Sequence, residues 1–154
     1  EYHLLTLKSS SPVATLGIWA SVTVGSQGAS AGARKLAKML RERGDSTPVV
    51  VVLERVDELT ADAGEEDLDD LVRVCLEQEH FVVAEADAQF FGGSYGLPPR
   101  LRTSRTGIVL HPEGTEGHQA FRTDLPPLDR SQLPTGRGFY VTKGSVELVQ
   151  VAIP

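Results

Sequence analysis

Short apolar runs separated by polar and Gly/Pro-rich breaks set the pattern of this chain. Residues 2–7, Tyr-His-Leu-Leu-Thr-Leu, read as a strand that Ser9-Ser-Ser-Pro12 interrupts. Ile18 to Val24 alternates loosely and reads as a second strand. Gly25, Gly28 and Gly32 follow, with Ser26 and Ser30 as expected N-caps. Ala33, Leu36, Ala37 and Leu40 share one helical face up to about Arg43, where Gly44-Asp45 stops the helix. Val49-Val-Val-Val-Leu53 is a continuous β-favouring run, expected of a strand buried on both faces of a parallel sheet. Residues 60–67 read as an acidic loop, and Leu68, Leu71, Val72 and Cys75 mark a helix ending near His80. Phe81-Val-Val-Ala84 is the next strand, residues 86–91 are one or two helical turns, and residues 92–99 are a loop. Thr106-Gly-Ile-Val-Leu110 is another strand, and residues 111–136 have little periodicity. Gly138 to Val151 reads as a hairpin turning at Lys143-Gly144. Strands alternating with helices predict an α/β fold: a mainly parallel sheet covered by helices on both faces, closed by a C-terminal antiparallel hairpin.

Composition narrows the function classes. The 154 residues are 40% apolar and 23% charged, enough for one globular domain with a core. A net charge of −6 and a pI near 5.2 disfavour nucleic acid as a partner of this piece. The single cysteine, Cys75, forms no internal disulfide and lies at core spacing, so it reads as a buried thiol in a reducing compartment. No apolar run reaches 18 residues, and no signal peptide is present, so direct membrane contact is not expected. Because residue 1 is Glu and not Met, the chain reads as a segment of something longer.

The candidate chemistry begins where the apolar strand ends. Glu54 follows Leu53 at once, and Asp57 and Glu58 lie just beyond. An acid in that place holds Mg²⁺ in phosphate-loop nucleotide hydrolases. The matching G-x-x-x-x-G-K-[ST] cradle occurs nowhere in the 154 residues. Gly25-x-x-Gly28-x-x-x-Gly32 precedes Arg34-Lys35, but Ala33 and Leu36 stand where the cradle needs other residues. Glu54 is then either a nucleotide-linked acid or a solvated strand end, and Asp57 and Glu58 read as a polar strand–loop edge.

Several blocks together resemble the FtsK/SpoIIIE family of motor ATPases, nearest to its actinobacterial EccC-type members of type VII secretion. They are Ser11-Pro12-Val13 with Leu16-Gly-Ile-Trp19, Val49 to Leu59, Leu101-Arg-Thr-Ser-Arg-Thr-Gly-Ile-Val-Leu-His-Pro112, and Leu133-Pro-Thr-Gly-Arg-Gly-Phe-Tyr-Val-Thr-Lys-Gly-Ser-Val-Glu-Leu-Val-Gln-Val-Ala152. The likeness runs in order over nearly the whole chain. It implies that residues 1–154 are the C-terminal part of one RecA-like P-loop domain, its phosphate loop lying upstream of Glu1. ATP and Mg²⁺ then bind only with that upstream loop, and none is expected for this chain alone.

Active members carry paired acids at the strand end, one for the metal and one for the attacking water. Here the pair is Glu54-Arg55. A guanidinium is never deprotonated and cannot serve as a base. The resemblance therefore implies a degenerate ATPase domain that docks a secreted protein's signal peptide or regulates sister ATPase domains in a ring. Its place is the cytoplasm, within a membrane-anchored parent. Two other readings stay open: part of an active DNA or protein translocase, and a peptide-binding module with no nucleotide link.

Arg100, Arg102 and Arg105 form the densest basic group. They read either as an arginine reaching a neighbour's γ-phosphate or as a solvated loop paired with the acidic 65–70 segment. Phe90, Phe91 and Tyr95, beside Gly92-Gly93, suit a peptide-docking pocket or ordinary packing. His3, His80, His111 and His118 lack metal-ligand spacing with Cys75, and no metal site is expected.

Overall fold

A computed structural model of the chain describes residues 1–45, 47–62, 64–112, 114–127 and 133–152. The chain divides into two compact units: residues 1–87 with 95–101, and residues 88–94 with 102–154.

The first unit is built on four parallel strands, β1 (Tyr2–Thr6), β2 (Ser21–Val24), β3 (Val50–Leu53) and β4 (Phe81–Ala84), in the order β2-β1-β3-β4. Helix α1 (Ser26–Glu42) joins β2 to β3, and α2 (Val56–Asp62) and α3 (Glu65–Glu77) join β3 to β4. Both connections run the same way along the sheet, and right-handed crossovers of one direction fall on one face. Helices α1 and α3 do pack together there, over Leu5, Val51 and Leu53. A close approach fixes the helix–strand distance: a Cβ at Gly32 would lie 2.8 Å from the Thr23 side chain. Gly32 is thus a packing glycine, and Gly25 takes a positive φ of 80° at the helix N-cap.

The return crossover, β1 to β2, contains only a 3-10 turn at Val13–Thr15. The opposite sheet face is correspondingly thinly covered. Tyr2, Val22, Val24, Phe81 and Val83 are all exposed on it, although Leu4 and half-buried Val50 and Val52 share it. The expected α/β fold with a mainly parallel sheet is present, and among the described residues α1 and α3 cover one of its faces.

Ion pairs lace the helix layer. Arg34 and Ser30 both donate to Asp67, Arg41 and Arg73 share Asp70, and Arg100 of α4 (Leu97–Leu101) meets Asp69 through two bonds of 2.7 and 2.9 Å. The α1 N-cap is Gly25, without a side-chain cap bond, and Ser30 is spent on Asp67 instead of capping. Residues Thr60–Asp62 and Glu65–Asp67, expected as loop, belong to α2 and α3. Cys75 is buried, and burial pushes its thiol up to about 12, so it is a protonated core group at neutral pH.

His3 is 5% exposed, with Nδ1 2.8 Å from the Ser21 hydroxyl. Burial holds its pKa below the ordinary value, outweighing the Glu1 carboxylate 3.8 Å from Nε2; Arg43 lowers it further. The unfolded chain therefore binds a proton more readily than the folded one as pH drops below about 6.5. The stability contributed by neutral His3 is present above that pH and lost as pH falls through the folded value. Urea midpoints read by circular dichroism are expected to fall from pH 7 to pH 5, and His3→Gln to flatten that slope. An unchanged slope in the variant would rule this origin out.

The second unit is a three-stranded antiparallel sheet, β5 (Thr106–Leu110), β6 (Arg137–Thr142) and β7 (Ser145–Gln150), with helix α5 (Glu116–Phe121). Its core is Val109, Ala120, Phe121, Phe139 and Val141, with Phe91, Leu125 and Val146 packed on it. Lys143 and Gly144 both have positive φ, 47° and 92°, as the mirror-image turn of a tight hairpin requires. The expected hairpin is therefore present, and β5 extends it to three strands.

Candidate functional site

The C-terminal ends of β1 and β3 converge on one carboxylate. Parallel sheets place their ligand crevices at those ends, because the strand carboxyl termini and following loops gather there. The backbone N–H of Glu54 continues the β1–β3 pairing by donating to Leu5. Its side chain stands on the thinly covered side, beside Thr6. The Thr6 hydroxyl donates to Oε2 at 2.5 Å, and the Ser11 hydroxyl donates to Oε1 at 2.7 Å. Both hydroxyls are deeply buried, at 1% and 7% residue exposure, so the carboxylate is their local acceptor. Ser11 also accepts from the Val13 N–H, which fixes the loop that carries it.

Around this group lies a cavity of about 180 Å³ lined by Thr6, Leu7, Lys8, Ser10, Ser11, Pro12, Glu54 and Arg55. Sites for drug-sized ligands run from roughly 300 Å³ upward. This cavity lies below that range. A wider depression of about 470 Å³, lined by Glu1, Lys35, Lys38, Met39, Glu42 and Arg43, is a charged helix surface carrying none of the expected chemistry.

Arg55 takes a left-handed backbone, φ 54°, unusual outside glycine. Its N–H donates to the Glu85 carboxylate at 2.7 Å, and the next N–H, of Val56, donates to the Glu85 carbonyl. The kink starts α2 immediately after the strand. Asp57 and Glu58 therefore lie in the first turn of a helix, where acids are favoured by the helix dipole, and not on a strand–loop edge. Glu58 pairs with the Arg55 guanidinium. Of the three acids expected at the strand end, the structure builds only Glu54 into the cavity lining.

The other expected groups are divided. Arg100 lies in the first unit in its Asp69 pair, whereas Arg102 and Arg105 lie in the second. Arg102 is fixed there by donating to the carbonyls of Gly93 and Gln119. Phe90 and Phe91 meet edge-to-face, 5.5 Å between centroids, and Phe91 packs against the second unit's core. Tyr95 belongs to the first unit and is 90% exposed. Among the described residues no cluster of His, Cys, Asp and Glu is arranged to hold a metal, and no helix is long and apolar enough to cross a membrane.

Sequence reasoning missed Thr6, Lys8 and Ser11. The only signal was a hydroxyl at the end of an apolar strand and another before Pro12, which is common in turns.

No family profile matches the chain, and no curated protein does. Among solved structures, the chain is similar over its whole length to Thermomonospora curvata EccC (ATPases 2 and 3) in complex with a signal sequence peptide. The TM-score is 0.63 at 20% identity, and the match spans 31% of that chain. The chain therefore has an EccC-like fold, and its own sheets are one parallel and one antiparallel.

Proposed function

We propose that this chain is an FtsK/SpoIIIE-type ATPase domain of a type VII secretion motor that does not turn over ATP by itself and acts by docking and regulation. The observation that carries this reading is the state of Glu54. The acid in the metal-holding place has both oxygens engaged by Thr6 and Ser11, inside a cavity of about 180 Å³. Beside it the expected second acid is Arg55, turned into a left-handed kink and paired with Glu58. The EccC chain of like fold was solved with a signal sequence peptide, which supports a secreted-protein peptide and sister ATPase domains as partners. In this reading the domain works in the cytoplasm as part of a membrane-anchored motor.

Calorimetric titration with Mg·ATP tests it. The expected result is no saturable heat up to millimolar nucleotide, corresponding to less than about 4 kcal/mol of binding free energy. Saturable binding that disappears in Glu54→Gln would replace this reading with that of an active nucleotide site.

A further inference from the structure

We draw no further inference here: the strongest candidate, the face of the antiparallel β5–β6–β7 sheet turned away from the Val109–Phe139–Val141 core, where Ile108 and Leu110 are half exposed beside Tyr140 and Val149, carries none because nothing in the structure shows what covers it.

Discussion

Glu54→Ala is expected to lower unfolding stability by about 2–4 kcal/mol, measured by urea denaturation. Hydrogen bonds to a charged acceptor contribute roughly 1.5–3 kcal/mol each, and removal of a shared acceptor strands its donors. Thr6 and Ser11 are too buried for water to replace the carboxylate freely. Glu54→Gln keeps the shape, retains one carbonyl acceptor and offers the other hydroxyl an amide donor. It is expected to cost about 1 kcal/mol. The contrast separates a carboxylate used for structure from one held in reserve for a ligand. A loss below about 1 kcal/mol in the alanine variant would mean that the two hydroxyls contribute little to holding the loop.

Gly138→Ala is expected to be more damaging still, at about 3 kcal/mol or more in the second unit. A Cβ there would sit 2.0 Å from the Val109 carbonyl oxygen and 2.9 Å from the Leu110 Cα. These are backbone atoms of the paired strand, so no rotamer change relieves the clash. Amide exchange across β5, β6 and β7 is expected to rise sharply. Gly144→Ala is the control: its φ of 92° is strained for alanine, but no heavy atom lies within 4 Å of the added carbon. It is expected to cost only about 1 kcal/mol. Equal losses at the two positions would show that backbone conformation, and not close approach, governs the hairpin.

These two sites mark the reach of sequence reasoning. Apolar runs such as Val49–Leu53 and Phe139–Val141 declare themselves as strands because burial and β-branching act locally. The α2 helix does not, since it opens on a left-handed arginine and an acidic turn whose logic lies in the Glu85 partner thirty residues on. The α4 helix hides behind Pro98-Pro99, which reads as a breaker although proline is tolerated in a first helical turn. The glycines of Thr135-Gly-Arg-Gly138 show that a turn is near. The closeness of Gly138 to Val109 is a property of strand pairing. Glu54 was identifiable as an acid at a strand end, but its hydroxyl partners lie 48 and 43 residues earlier. Nothing local couples them.

The loop that carries Ser11 has one more property of use. Trp19, the sole tryptophan of the chain, donates its indole N–H to the Val13 carbonyl at 2.8 Å, two residues beyond Ser11. The protein thus carries an intrinsic optical gauge at the far end of the latch on Glu54. Any event that pulls Ser11 from the carboxylate will change the polarity around that indole. Emission wavelength then reports the opening of the cavity without a label.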